Sequence, residues 1–311
     1  MNLLLTAVIP AHNPHLGRLR RTLAGLRAQT LAPERWETVL IDNASAAFPA
    51  PAEYADVQPG NLRMVREPLL GLSSARLRGF AEARGEFCVL VDDDNVLAPD
   101  YLERIVALFE AHPEVGALGG RVLPEFEKQP ESWQSEFLPL LALRDTGGHA
   151  HISRGLRPAN GSSNEYPVEA APVGAGMALR RAAWAAWSAS APSKELPDRR
   201  GSDLSSSGDN DIVLTLLENK WEVATFSELR VIHLIPASRL ECDYLARLNR
   251  GIQKSWMRVL TKHNVNPWPP IAAWTVPLRK AKAWLTYRAW SSPAAAIRWQ
   301  GACGHFEGRA T

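Results

Sequence analysis

From Leu3 to Val122, short apolar runs alternate with segments of helical period, and few architectures other than a layered α/β sheet of mostly parallel strands accommodate that pattern. Strands are expected at Leu3–Ile9, Glu37–Ile41, Leu62–Arg66, Phe87–Val91 and Val115–Val122. Between them Leu16, Leu19, Leu23 and Leu26 recur at helical spacing, and Ser73 and Ser74 cap a second helix through Leu77, Phe80 and Ala81. Pro99 opens a third, with Leu102, Ile105, Val106 and Phe109 on one face. The first run has no basic segment before it and meets Pro10 after seven residues, so it is expected as a buried strand and not a leader peptide. Ligands of open α/β sheets lie beyond the carboxyl ends of the strands. The first candidates are therefore His12, Asn13, Asp42, Asn43 and the run Asp92-Asp93-Asp94.

Further along, residues 124–170 carry five prolines and are expected as an irregular excursion across the site face. Val173–Arg180 reads as an apolar strand with close-packing glycines at 174 and 176, and Ser188–Gly208 as a mobile polar loop. That loop ends at Asp209-Asn210-Asp211, an N-terminal signature for a helix over Ile212–Asn219. His233 follows an apolar strand over Leu229–Ile232. Arg239–Lys262 is amphipathic, with Leu240, Tyr244, Leu248, Ile252, Trp256 and Val259 opposite Arg247, Arg250, Lys254 and Arg258. Leu278–Trp290 has basic residues around its whole circumference and no clean apolar face.

Composition excludes several classes. At 46% hydrophobic and 22% charged over 311 residues the chain is neither disordered nor fibrous. Cys88, Cys242 and Cys303 show no CxxC spacing, which predicts free thiols and a reducing, cytoplasmic setting. No apolar run approaches the roughly 20 residues of a spanning helix. GxGxxG after a strand and GxxxxGK[ST] are both absent, and Gly71-Leu72-Ser73-Ser74-Ala75 lacks the last glycine of a nucleophile elbow. The sequon Asn160-Gly161-Ser162 is expected to be unused. The net charge of +2 hides an asymmetry: residues 250–311 hold ten Lys and Arg against one acid, Glu307, while residues 1–249 hold 25 basic against 32 acidic. Six of the eleven tryptophans also lie in that tail, a combination suited to peripheral attachment at an anionic inner membrane face.

Three carboxylates at the end of an apolar strand repel one another unless a cation or hydrogen bonds compensate them. Oxygen ligands favour Mg²⁺ or Mn²⁺, which keeps waters and shares itself with substrate phosphates. One Asp would suffice for capping ahead of Pro99; three point to metal and phosphate work.

The order Val8-Ile9-Pro10-Ala11-His12-Asn13, Ile41-Asp42-Asn43-Ala44-Ser45, Gly71-Leu72-Ser73-Ser74-Ala75-Arg76-Leu77-Arg78-Gly79 and Leu90-Val91-Asp92-Asp93-Asp94-Asn95 resembles a family 2 glycosyltransferase of the GT-A fold. Val173-Gly174-Ala175-Gly176-Met177-Ala178 and Gly208-Asp209-Asn210-Asp211 extend the resemblance over about residues 4–240. It implies a nucleotide-binding α/β sheet flanked by helices, with a helical C-terminal extension. Residues 1–122 would form the nucleotide-sugar half, 123–238 the acceptor half with the base, and 239–311 the basic tail.

By that resemblance Pro10, Ala11, His12, Asn13, Asp42 and Asn43 hold the donor nucleotide, with Arg76, Asp92 and Asp93 beside it. Asp92 and Asp94 match the DxD motif, Asp94 being the direct ligand of Mn²⁺ or Mg²⁺, with His233 a further ligand. Asp209 matches the general base, and Asp211 competes for the role. Asn43 stands where a second acid is common, Gly208 stands where an acid often precedes the base, and the QxxRW motif of processive synthases is absent. The expected activity is inverting transfer of one sugar from a nucleotide-diphosphate sugar, UDP-sugar favoured, to a glycan or lipid-linked acceptor. The alternative is a nucleic-acid or membrane-surface binding protein on an inactive scaffold.

Overall fold

The computed structural model describes residues 3–158, 164–190 and 204–310. Strands β1 (Leu5–Ala11), β2 (Trp36–Asn43), β3 (Leu62–Glu67) and β4 (Phe87–Leu90) are parallel, in the order β3-β2-β1-β4. Helices α1 (Leu16–Arg27) and α2 (Leu72–Glu82) connect them as the spacing predicts. Short β5 (Asn95–Leu97) then precedes α3 (Tyr101–Ala111) and β6 (Val115–Phe126). The expected division near residue 122 falls inside β6.

Beyond it lie a 3₁₀ segment (Ser132–Leu141), β7 (His151–Ser153), the pair β8 (Arg157–Pro158) and β9 (Asn164–Glu165), and β10 (Ala178–Arg180). Helices α4 (Arg181–Ala189) and α5 (Gly208–Glu218) and the long β11 (Glu222–Ile235) follow. The sheet continues from β4 through β10, β6 and β11 to β5, and β7 also pairs with β11. β10 runs antiparallel to both neighbours, and β11 is parallel to β6 and antiparallel to β5. The sheet is therefore mixed.

Alternate residues of a strand point to opposite faces, and β1 shows the consequence. Leu5, Ala7 and Ile9 join a core with Leu19, Leu23 and Leu26 of α1 and Leu102, Ile105 and Phe109 of α3. Val8 joins a second core with Ala75 and Phe80 of α2, Trp184 and Trp187 of α4, and Ile212 and Leu216 of α5. Covered on both faces, all seven residues of β1 are buried, as expected for a central parallel strand.

Three expectations are corrected. The strand expected over Val173–Arg180 is reduced to Ala178–Arg180, because Gly176 adopts φ +80 and turns the chain out of the sheet. The excursion over 124–170 is more regular than its prolines imply: β6 continues to Phe126, and the 3₁₀ segment buries Phe137 and Leu141 against Leu245 and Leu248. The amphipathic helix starts at Cys242, since Glu241 is extended and Arg239 and Leu240 belong to a separate 3₁₀ turn. The sequon and most of the expected mobile loop, residues 191–203, lie outside the described residues.

Helix α6 (Cys242–Lys262) packs against α8 (Pro293–Arg309), with α7 (Val276–Thr286) laid along α8. The close approach of α6 and α8 depends on glycine, since a Cβ on Gly304 would lie 2.1 Å from the Arg250 carbonyl oxygen. Among the described residues no helix is long and apolar enough to cross a membrane.

Helix α2 meets the sheet just as tightly, a Cβ on Gly79 falling 2.2 Å from Val8 Cγ1. Gly79→Ala is expected to destabilise the protein by about 1–3 kcal/mol through overpacking. Urea unfolding checks this, as a lowered midpoint at unchanged slope.

Candidate active site

The polar ends of β1, β2 and β4 border a cleft of about 360 Å³. Pro10, Ala11, His12, Asn43, Arg76, Asp92, Asp93, Asp94, Asp209 and His233 all line it. Asn13, Asp42 and Asp211 do not.

The first two strand ends are tied together by hydrogen bonds. His12 Nδ1 donates to the Asn43 carbonyl at 2.7 Å, and Asn13, at φ 47, donates its N–H to Ser45 Oγ at 2.8 Å. Asp42 is buried: it accepts from Ser45 N at 3.0 Å and pairs with Arg66 at 3.1 Å. Asn43 Oδ1 accepts from Gly71 N at 2.8 Å, and Nδ2 donates to the Leu69 carbonyl at 2.8 Å. An amide, unlike a carboxylate, serves both bonds, which explains Asn at this position.

The acidic run is compensated from a distant part of the chain. Pairing of β5 with β11 sets His233 opposite Asn95, and Leu234 N donates to the Asp94 carbonyl at 2.9 Å. Arg239 then reaches Asp94 Oδ2 at 2.8 Å, and His233 Nε2 lies 3.6 Å from Asp94 Oδ1. Burial, reinforced by Asp94 and Asp92, pushes the Asp93 carboxyl up to about 7. Burial opposes the charge of Arg239, yet Asp94 holds its pKa above the usual value.

Of the expected donors Asp92, Asp94 and His233, all lining the cleft, the last two lie close together, 3.6 Å apart, where a divalent ion would find them. Arg239 Nη1 approaches His233 Nε2 at 2.9 Å and can only donate, so Nε2 presents a lone pair and the proton sits on Nδ1. Nδ1 is buried without a hydrogen-bond partner among the described residues. That lone pair is engaged by Arg239, so His233 would ligate a metal beside Asp94 only by giving up this contact. No group of three His, Cys, Asp or Glu side chains is poised for a metal among the described residues. Two protein donors fit an ion that completes its shell with water and phosphate.

Asp209 reaches the cleft from the first turn of α5, where the helix N-terminus favours negative charge. Its Oδ2 accepts from Gly174 N at 3.1 Å, and Asn210 is held by Tyr166 Oη at 2.7 Å. A Cβ on Gly174 would fall 2.6 Å from Arg76 Nη2, so a larger residue there would push the end of that side chain aside. Leu70, Ala142, Leu204 and Ser206 also line the cleft and had no signal in the sequence.

Two residues further on, Asp211 is fully buried. It accepts from Trp187 Nε1 at 2.8 Å, Lys262 Nζ at 2.9 Å and His263 Nε2 at 2.8 Å. His263 Nδ1 in turn meets Glu218 at 2.9 Å. Burial alone would raise the Asp211 pKa, but His263 and Lys262 outweigh it and hold the group below its usual range. Burial alone would lower the His263 pKa, but Asp211 and Glu218 raise it.

The His263 contribution to stability is complete below 6.5 and is lost as pH rises through its raised folded value. The Asp211 contribution is complete above 3.8 and is lost as pH falls through its lowered folded value. His263→Gln should therefore destabilise most between 3.8 and 6.5 and flatten the decline in stability above 6.5, as read from urea midpoints across pH. Asp211→Ala, which leaves its cationic partners uncompensated, should cost about 3 kcal/mol or more.

Residues 6–184 match the family described as "Glycosyl transferase family 2". Over 146 residues the chain is 27% identical to the glucosyl-dolichyl phosphate glucuronosyltransferase of Haloferax volcanii, covering 47% of this chain and 46% of that protein. Over 103 residues it is 35% identical to the succinoglycan biosynthesis protein ExoW of Rhizobium meliloti, covering 32% and 31% of the two chains. The chain thus spans less than half the length of these relatives. Among solved structures, S. aureus TarS 1-349 in complex with UDP superposes with a TM-score of 0.50 at 13% identity, covering 98% of this chain and 89% of that one. GalNAc-T7 with UDP, GalNAc and Mn²⁺ gives a TM-score of 0.58 at 15% identity, covering 97% and 55%. These likenesses show the GT-A fold, and together with the match over residues 6–184 they establish that the chain belongs to glycosyl transferase family 2.

Proposed function

We propose that this chain is an inverting glycosyltransferase that moves one sugar, of the hexose class, from a nucleotide-diphosphate sugar to an acceptor hydroxyl. The observation that carries the reading is the convergence on one cleft of Asp94 and His233, two guanidinium groups, Arg76 and Arg239, and a separate carboxylate, Asp209. In this reading residues 1–122 bind the donor, 123–238 supply the acceptor side and the base, and 239–311 form an appended tail. The UDP in the two solved neighbours favours a UDP-sugar.

Pro10, Ala11, His12 and Asn43 border the donor nucleotide, and Leu70 and Leu72 give its base an apolar wall. Asp42 and Asn13 act one step back, fixing the turn that carries Asn43. Asp94 and His233 would hold Mn²⁺ or Mg²⁺, whose charge stabilises the departing diphosphate. Arg76 and Arg239 add positive charge on the same side. Asp209 takes the proton of the acceptor hydroxyl as its oxygen bonds the anomeric carbon, and the bond from that carbon to the diphosphate breaks with its electron pair leaving on phosphate. Asp209 is preferred to Asp211 because Asp211 is buried among three hydrogen-bond donors and does not line the cleft.

The relatives' names, a dolichyl phosphate glycoside transferase and a polysaccharide biosynthesis protein, favour a lipid-linked or cell-surface glycan acceptor. Such an acceptor suits peripheral attachment at the inner face of an anionic membrane.

Asp209→Asn is expected to leave donor affinity near wild type and to lower turnover about 10²- to 10⁴-fold. Asp94→Ala is expected to abolish the gain in UDP affinity that Mn²⁺ provides, read by calorimetry. Wild-type turnover in Asp209→Asn would reject the base assignment, and an unchanged Mn²⁺ effect in Asp94→Ala the metal assignment. A wild-type chain that binds vesicles or oligonucleotides but neither turns over nor binds any nucleotide-sugar would favour the inactive-scaffold alternative.

A further inference from the structure

Helix α7 carries two apolar rows on opposite sides. Val276 and Ala283 are buried and, with the half-buried stem of Lys280, form its inner side along α8. Leu278, Ala281 and Leu285 continue the line of Trp274, in the 3₁₀ turn ahead of it, at helical spacings of three and four. All four are exposed, Trp274 by 75%, Leu278 by 66% and Leu285 by 61%. At the end of the helix Trp284 and Trp290 lean on each other with ring centroids 4.5 Å apart, and both remain exposed, as does Tyr287.

The cations of the tail sort in the same way. Arg250 and Lys280 both engage Glu307, Lys262 engages Asp211, and Arg298 engages Glu136. Arg279, Lys282 and Arg288 stay exposed beside the outer row, and among the described residues none of the three is ion-paired. Arg279 donates only to Thr275 Oγ1, at 3.1 Å. The tail is thus folded onto α6 and still presents an outward row of large apolar side chains flanked by uncompensated positive charge.

We infer that this outer face of α7 is the docking surface for an anionic lipid bilayer. An exposed helix lying in the plane of the interface buries an apolar row among the acyl chains while its cations meet the headgroups. Indole and phenol rings suit the headgroup level, and Trp274, Trp284, Tyr287 and Trp290 sit along this helix and at its two ends. Of possible occupants, the bilayer matches both the apolar row and the unpaired positive charge; a second copy would bring like charge against like. The inference assigns the membrane location proposed above to one helix and rests on that part of the reading alone, since vesicle binding and sugar transfer are measured separately.

The test uses the full chain in sedimentation with vesicles of phosphatidylcholine alone or mixed with phosphatidylglycerol. Wild type should pellet with the mixed vesicles only, less so as salt rises. The triple variant Arg279→Gln, Lys282→Gln, Arg288→Gln should lose affinity about 100-fold. Leu278→Glu with Leu285→Glu should lose it to a similar degree. A control triple of exposed body cations, Arg35→Gln, Arg84→Gln, Arg104→Gln, should bind as wild type. All substituted side chains are exposed, so thermal midpoints should stay near wild type. Absence of pelleting, equal pelleting with both vesicle types, or equal loss in the control triple would overturn the inference. A dimer in light scattering that Leu278→Glu with Leu285→Glu dissociates would also overturn it, assigning the face to a second copy.

Discussion

The antiparallel pairing of β5 with β11 is the contact on which the site depends. β5 begins directly after the three aspartates, and its three-residue ladder sets His233 opposite Asn95. That register brings His233 and then Arg239 to Asp94, which would otherwise be a buried carboxylate beside two more. Removing the partner of a buried charge costs about 3–5 kcal/mol, so Arg239 is a condition of the acidic cluster. The later strands join β4 through β10, at the opposite end of that part of the sheet.

Helix α5 separates a cleft-lining carboxylate from a buried, anchoring one within one turn. Residues two apart on a helix point about 200° away from each other. Asp209 therefore faces the cleft while Asp211 faces inward, where Trp187 of α4 and the end of α6 with His263 hold it. The buried network orients the turn, and the Asp209 carboxylate is left lining the cleft. Gly174 lets the backbone come close enough to donate to Asp209 without displacing Arg76.

The tail shows how composition can mislead about partners. Its ten cations look like a single electrostatic unit in sequence. In three dimensions, ion pairs to Glu307, Asp211 and Glu136 turn four of them into structural contacts, while Arg279, Lys282 and Arg288 stay exposed along α7 and just past its end. The lack of a clean apolar face in Leu278–Trp290 has the same origin: two apolar rows, one inward and one outward, read as none when superimposed on one helical wheel.

Much of the donor side was legible because its signals are local. Strand and helix periods depend on near neighbours, and Pro10, His12, Asn43, Asp92, Asp94 and Asp209 stand at element ends where polar chemistry is conspicuous among apolar runs. Leu70, Ala142, Leu204 and Ser206 were silent, since a neutral side chain carries no mark of the cleft it lines. By itself the sequence determined the alternation of elements, the acidic strand end and the family. Tertiary structure alone decided which of Asp209 and Asp211 lines the cleft, that Arg239 pairs with Asp94, and which side of α7 meets solvent. Those outcomes rest on contacts between residues far apart in the chain, whose geometry no local pattern encodes.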